Sequence, residues 1–578
     1  MTRKSLKDPL QGDRPFPNPG VSIRTWPARA LLWLWKEDRP LALLSGFFFV
    51  FTSIRPVFPL HLFVLVPTLA SLVRAGSDRA MLRRAWFAGL ALSAFGFLWM
   101  WSLLVYSLLA PILYGVAVLY SGATYALALG ASECIRRRTG WPLWVVLPPL
   151  WMLREHVMTF GEIALPTEPW SHLLTFNPAL LQFTEWTGTL GAALWVVVVN
   201  GLLVESWQAF RTRRRLTAAA TAGAALLAAM AVPIYGTVRM AQVGRELERA
   251  ARSCDIAVVQ TNLDLFIKHD MARAEENTSL IVKLARAAAP GSDLVILPES
   301  VLPGYLLHRL SQSERPDAGP LAELAVETGV PILAGRFYVR VRSAKDFDAY
   351  NAALVVGPDG EVRDWYGKIQ LVPIIEGLPY LHYLGLKAIP LGVGGLLGQL
   401  GGFTIGGNSG PIVCPPARGP TLGKEGDAGA GKKGSDESGG RDGGLRAGVV
   451  ICYESLFPEL SRRQVARGAD LMVCLSEDSW YGHSYAAGYM SRTLVSRAIE
   501  TRRSWARAAN TGVSGFVTPD GVYSDATPLW TRAVIRRRLP LSSEMTFFVR
   551  HGNWLAVVAA GWTLLLVVAA WASSLKSR

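Results

Sequence analysis

The chain has 578 residues, 51% of them hydrophobic, with 20 Trp and a formal net charge of +15. That composition is too apolar for an ordinary soluble domain and calls for membrane spans. The basic residues sit in short clusters between apolar runs, with no basic stripe or stacking motif, which argues against nucleic-acid binding and suits cytoplasmic loops of a membrane protein.

Residues 1–39 are basic and polar (Arg3, Lys4, Lys7, Arg14) and read as a cytoplasmic N-terminal segment. No cleavable signal is evident, and the first apolar run is flanked as an anchor. Residues 40–54 and 56–73 are apolar but short, divided by Arg55-Pro56, and predict a tight hairpin of two short helices. Residues 85–132 carry no charged side chain, enough for two spans with a turn near Pro111. Residues 139–153 form a short segment ending at Arg154, and 186–204 and 216–238 each read as one span. The expected total is seven transmembrane helices within 40–240 and an eighth at 554–575. Arg74, Arg79, Arg83 and Arg84, then Arg136 to Arg138, then Arg211 and Arg213 to Arg215 all fall in loops on one predicted side, while Glu155, Glu162, Glu168 and Glu185 fall on the other. That arrangement puts the block 240–550 outside the inner membrane. Arg239, Arg245, Arg249 and Arg252 resist it, since they would also lie outside.

Residues 254–535 change character. IAVVQ (256–260), LVILPES (294–300), VPILAGRFYV (330–339), AALVVG (352–357), AGVVICYES (447–455) and ADLMVCLSE (469–477) read as buried strands, and 273–288 and 486–503 as helices. Such alternation predicts an α/β domain with a central sheet. Residues 415–444 contain ten Gly among thirty and read as a surface insertion that cannot bury a core.

Three residues stand at or near strand ends, where α/β sheets gather functional groups: Glu299 after LVILP, Lys368 in WYGKIQLVP and Cys452 after GVVI. A Cys thiolate is a good nucleophile for a carbonyl carbon, a Glu can take the thiol proton and later return it, and a buried Lys can donate to the oxyanion. Singly, each has a commoner role: a core thiol, a solvated turn, a snorkelling amine. None of the five cysteines (Cys134, Cys254, Cys414, Cys452, Cys474) is in C-x-x-C spacing and the eight His lack ligand spacing, so no metal or cofactor is expected.

LVILPES, YNAALVVGPDGEVRDWYGKIQLVPIIE (350–376), AGVVICYESLFPEL (447–460), SEDSWYG (476–482) and RAIETRRSWARAANTGVSGFVTPDG (497–521), in that order, resemble the nitrilase (carbon-nitrogen hydrolase) superfamily, and within it the membrane branch of apolipoprotein N-acyltransferases. The seven-plus-one span layout extends that resemblance over nearly the whole chain. It implies an αββα sandwich beside the multi-span helical domain. Glu299 would be the base, Lys368 the oxyanion donor and Cys452 the nucleophile. Glu376 would support the lysine, Tyr453 and Glu454 match the residues after the nucleophile, and Asn351 matches a polar residue beside the site. His269, Trp480 and Tyr481 match substrate-loop positions, although a packed turn explains Trp480 and Tyr481 equally well.

The sequence departs from the family pattern in several places. His269 stands where the family has Trp, and that loop lacks its usual Pro. Ile374-Ile375 replace Phe-Gly, Glu477-Asp478 replace Asn-Asp, and the Gly-rich insertion is unusual. The resemblance implies a monomer that passes an acyl chain from a phospholipid, through a Cys452 thioester, to the amine of a diacylglyceryl-cysteine lipoprotein. The bacterial inner membrane with a periplasmic catalytic domain is the implied location. A membrane-anchored nitrilase-type amidase and a catalytically dead scaffold are the alternatives.

Overall fold

The computed structural model describes residues 39–166, 170–309, 316–343, 346–380, 383, 402–407, 409–417 and 444–576. The N-terminal segment expected over 1–39, apart from Arg39, and most of the insertion at 415–444 lie outside the described residues.

The first part of the chain is helical. α1 (Arg39–Ile54) and α2 (Val66–Val73) form the short pair expected from 40–73, and α3 (Asp78–Gly96) follows. A 3-10 stretch, Leu98–Val105, bends away from α3 by 46°. α4 (Ala110–Thr139) then starts with Pro111 in its first turn, where a missing N–H costs nothing. α5 (Leu143–Val157), α6 (Thr189–Arg211) and α7 (Arg215–Glu248) complete this part, and α12 (Trp554–Lys576) closes the described chain. α3 and α4 meet through small residues: a Cβ on Gly89 would run into the Gly122 carbonyl oxygen.

Among the described residues, four helices (α4, α6, α7 and α12) are long and apolar enough to cross a membrane, or five if α3 and its bent continuation form one span. Of the eight spans expected, the described helices bear out that number by length and composition. α1 has 16 residues, α2 has eight and α5 has 15, short of the roughly 20 that a bilayer core needs. Arg154 does not end α5. Its guanidinium lies 3.5 Å from the centre of the Tyr125 ring and donates to Ser121 Oγ at 2.7 Å, so the helix carries it inside the bundle. Two of the arginines that resisted the charge pattern have acidic partners. Arg239 pairs with Glu185 at 2.8 Å, and Arg252 with Asp470 at 3.1 Å.

The second part is two stacked sheets. The first contains β1 (Ser253–Gln260), β2 (Leu294–Ile296), β3 (Tyr305–Arg309), β4 (Ile332–Ser343), β5 (Asp346–Val356), β6 (Val362–Gly367) and β13 (Ala533–Pro540). Its order is β13-β1-β2-β4-β5-β6, with β3 also paired to β4. The second runs β12-β11-β10-β9-β8-β7, from β7 (Ile412–Cys414), β8 (Leu445–Ile451), β9 (Leu471–Ser476), β10 (Trp505–Ala509), β11 (Gly515–Val517) and β12 (Tyr523–Ser524). Strand alternation builds the layers. Ile256 and Val258 of β1 pack with Val449, Ile451, Leu471 and Val473 between the sheets. Ala257 and Val259 face the opposite way, toward α8 (Ala274–Ala288) and α9 (Pro320–Thr328). On the outer face of the second sheet, Val450, Met472 and Cys474 pack with α10 (Pro458–Ala466) and α11 (Ala486–Thr501). The result is the expected α-β-β-α sandwich. The cluster on that outer face also contains Leu147, Trp151 and Val196 of the helical part, so sandwich and apolar helices share one core.

That junction has a charged centre. Buried Glu185 accepts from Arg239 Nε at 2.8 Å and from Arg502 Nε at 2.9 Å, and Gln182 Oε1 accepts from Arg502 Nη2 at 2.9 Å. A paired, hydrogen-bonded charge is tolerated in such a place where a single one is not.

Candidate active site

Four strand ends converge. β2 ends at Ile296, and the chain turns through Pro298, Glu299 and Ser300, with Ser300 at φ 43°. That turn lies against β4 at Gly335. The Gly335 N–H donates to Pro298 O at 3.1 Å, and a Cβ there would come within 2.5 Å of both Pro298 O and Glu299 Cα. Only glycine leaves room for the turn that presents Glu299. β6 delivers Lys368, whose backbone N–H donates to Asn351 O at 2.8 Å. β8 delivers Cys452 at its last step, with φ 52°, before a short 3-10 turn, Cys452–Leu456. A non-glycine residue held in the left-handed region at a strand-to-helix turn costs about 1–3 kcal/mol and marks functional sites. β9 ends next to Glu477.

The side chains form one network. Glu299 is 5% exposed. Its Oε1 accepts from Asn351 Nδ2 at 2.7 Å, and its Oε2 from the Glu477 N–H at 2.8 Å. Lys368 Nζ lies 2.8 Å from Glu376 and 3.6 Å from Glu299 Oε1. Glu376 also accepts from Asn351 Nδ2 at 2.9 Å and from the Val372 N–H at 2.8 Å. Glu454 receives four donors: Tyr366 OH at 2.8 Å and the N–H groups of Ile369 (2.7 Å), Gln370 (3.1 Å) and Ile451 (2.7 Å). It therefore locks the turn after β8 to the segment that carries Lys368.

The electrostatics follow from burial. Burial pushes the Cys452 thiol well above its usual range, Glu299 adds to that, and Lys368 opposes it. The resting group is a thiol, so a base must take its proton. Burial also raises Glu299, with Glu376 and Glu477 adding to the rise while Lys368 and Asn351 counter it. Burial works to lower the Lys368 ammonium, but Glu376 and Glu299 outweigh it and keep it charged. The arrangement can hold a proton between thiol and carboxylate beside a fixed cation, as acyl transfer through a thioester needs.

Glu299, Lys368, Cys452, Asn351, Glu376 and Tyr453 line one cavity of about 370 Å³, as do His269, Trp480 and Tyr481. Every site residue expected from sequence except Glu454 lines it. Glu454 stands behind, as a brace. His269 stacks on Phe337 at 5.4 Å between ring centres, and burial, with Lys268 nearby, lowers it to about 3, so it stays a neutral ring. Trp480 meets Tyr106 at 5.2 Å and Tyr481 meets Trp99 at 5.2 Å.

Those partners belong to the helical part, and the cavity continues there between Phe97, Leu103, Leu113, Val116, Ala117 and Tyr120. Tyr453 OH donates to Ala164 O at 2.7 Å and Tyr106 OH to Ser479 O at 2.8 Å, fastening the two parts at the cavity's rim. Sequence reasoning missed these helical residues, because nothing local marks which face of an apolar helix meets a cavity. It also missed Lys268 and treated Glu477 only as a departure from the family pattern. Glu477 follows a strand end, the same signal that singled out Glu299.

The sequence model of the family described as Carbon-nitrogen hydrolase matches residues 255–544, and that described as Apolipoprotein N-acyltransferase N-terminal domain matches residues 45–202. A protein of Geobacter metallireducens named apolipoprotein N-acyltransferase is 27% identical over 553 residues, covering 94% of this chain and 96% of its own. A protein of Chlorobaculum tepidum with the same name is 25% identical, covering 94% and 92%. Among solved structures, an amidase from Nesterenkonia sp. AN1 matches 54% of this chain and 99% of its own, at 18% identity and a TM-score of 0.33.

Proposed function

The chain belongs to the carbon-nitrogen hydrolase family, and from that premise we propose that it is a membrane-bound N-acyltransferase. It moves an acyl chain from a phospholipid, through a thioester on Cys452, to the N-terminal amine of a diacylglyceryl-cysteine lipoprotein. The observation that carries the reading is the cavity. It joins Cys452, Lys368 and Glu299 to apolar side chains of the 3-10 stretch after α3 and of α4, so a thiol and a lipid tail have one continuous space. A small soluble amide needs no such extension, and the named relatives favour acyl transfer over the amidase alternative.

In the first half-reaction Glu299 removes the Cys452 proton as Sγ attacks the ester carbonyl. The oxyanion forms beside Lys368 Nζ and the backbone N–H after Cys452. Collapse expels the lysophospholipid alkoxide, which takes its proton from Glu299, and leaves the thioester. In the second half-reaction Glu299 removes a proton from the attacking amine, the amide forms, and the expelled thiolate recovers that proton. Glu376 keeps Lys368 charged and aimed, and Asn351 holds Glu299 and Glu376 together. His269 with Trp480 and Tyr481 shape the entrance for acyl chain and acceptor. The protein acts as a monomer in the bacterial inner membrane, with the sandwich on the periplasmic side.

The test is to incubate purified protein with acyl-labelled phospholipid and look for label released by hydroxylamine. Label on the wild type and none on Cys452→Ala is expected. Label that persists on Cys452→Ala overturns the mechanism, and turnover of a soluble amide without any acyl label favours the amidase.

A further inference from the structure

A second buried ion pair stands against Glu299 that the chemistry above does not use. Lys268 closes a one-turn helix, Leu265–Lys268, in the segment after β1, and its side chain is fully buried. Its Nζ donates to Glu477 Oε2 at 2.5 Å, to the backbone carbonyl of Glu299 at 2.7 Å and to Ser300 Oγ at 3.1 Å. Glu477 returns the contact from the other side, since its own N–H donates to Glu299 Oε2 at 2.8 Å. Asn510 Nδ2 donates to Glu477 Oε2 at 2.9 Å and to Leu263 O at 2.7 Å, tying the segment after β1 to the end of β9.

We propose that Lys268 and Glu477 are positioning residues for Glu299: one buried pair that clamps its backbone and its carboxylate at once, and fixes the base relative to the nucleophile. The inference rests on the acyl-transfer reading for the reaction it serves. Glu299 belongs to the first sheet and Cys452 to the second, so their separation depends on what bridges the sheets. Glu454 bridges them on the lysine side through Tyr366 and Ile369, and the Lys268–Glu477 pair bridges them on the base side. The charges facing Glu299 are Lys368 and Glu376 from the segment after β6, Glu477 from the end of β9, Lys268 from the segment after β1, and the Cys452 thiol from the end of β8. Lys368 is shared between Glu376 at 2.8 Å and Glu299 at 3.6 Å, and Lys268 is taken by Glu477, so among the described residues the only cation the Glu299 carboxylate meets is one it shares. Asp478 does not alter this balance, because buried Arg507 meets it at 2.9 Å.

The test compares the full-length wild type with Lys268→Met, Glu477→Gln and the double variant. Two rates are followed against pH: thioester formation from labelled phospholipid, and alkylation of Cys452 by iodoacetamide. Lys268→Met leaves an unpaired Glu477 carboxylate beside Glu299, so the acid limb moves up by about one pH unit. Glu477→Gln leaves an unpaired ammonium there, so the limb moves down by a similar amount. Each single change slows thioester formation about tenfold or more, and the double variant brings the limb back to its wild-type position. Limbs that stay put, limbs that move the same way, or a double variant no nearer wild type than the singles overturn the clamp. If Lys268→Met does not fold, the isosteric Glu477→Gln carries the test by its downward shift. Alkylation needs no lipid. Opposed alkylation shifts in a protein whose wild type forms no thioester sink the acyl-transfer reading and leave the clamp standing.

Discussion

Replacing Glu376 with Gln removes the closer of the two carboxylates that Lys368 meets. At 2.8 Å, and with the effective dielectric of about 20 that suits protein ion pairs, the Glu376 attraction is about 6 kcal/mol. At 3.6 Å, the Glu299 attraction is about 5 kcal/mol. The cation is thus held toward Glu376 by only about 1 kcal/mol. Once Glu376 is neutral, Lys368 turns to Glu299. Fold stability changes little, because the ammonium keeps a buried counter-ion. The chemistry suffers twice, since the oxyanion loses its donor and the base gains a partner. Loss of one oxyanion donor costs about 3 kcal/mol, so thioester formation should slow roughly 100-fold. The sign of the pH effect is separate. Burial raises Glu299 first and Glu376 raises it further, while Lys368 lowers it. Removing Glu376 and drawing Lys368 closer both lower it, so Glu299 stays ionised to lower pH and the acid limb shifts down. The assay is single-turnover acyl labelling of Cys452 across pH, with thermal unfolding as a control. A plateau within threefold of wild type, about 0.7 kcal/mol, or a limb that moves up, would refute the assignment of Glu376 as the residue that aims Lys368.

Three further outcomes are expected. Gly335→Ala should express and insert normally yet lose most thioester formation, because its Cβ collides with the turn that presents Glu299; labelling near the wild-type rate would show that the turn can shift freely. Glu185→Gln should strand buried Arg502 and cost about 3–5 kcal/mol, read as a large drop in unfolding temperature in detergent, with an unchanged melting curve as the refuting result. His269→Phe should keep thioester formation within a few-fold and leave the pH profile unmoved, since the ring serves as a neutral stacking partner for Phe337, whereas a displaced limb would mean that His269 carries a proton.

What could be read along the chain was whatever repeats with a short period. The strands at 256–260, 294–296 and 471–476 announce themselves because a residue buried on both faces of a sheet is apolar at every step. Glu299, Cys452 and Lys368 were legible for the complementary reason: polar side chains interrupt those runs where a sheet opens to a cavity. Span lengths were less legible. An apolar run such as 139–153 has the same composition whether it crosses a bilayer or packs as a short helix against its neighbours, and Arg154 looked like a stop because its partners Ser121 and Tyr125 lie some thirty positions away. Lys268 and Glu477 are 209 positions apart, and neither carries a local sign of the other. The tertiary structure alone decided that they meet, that Glu185 anchors Arg502 across the junction, and that the thiol opens into a space walled by apolar helices. Burial and charge pairing between distant segments leave no periodic trace, because each is satisfied by a partner that any other stretch of chain could have supplied.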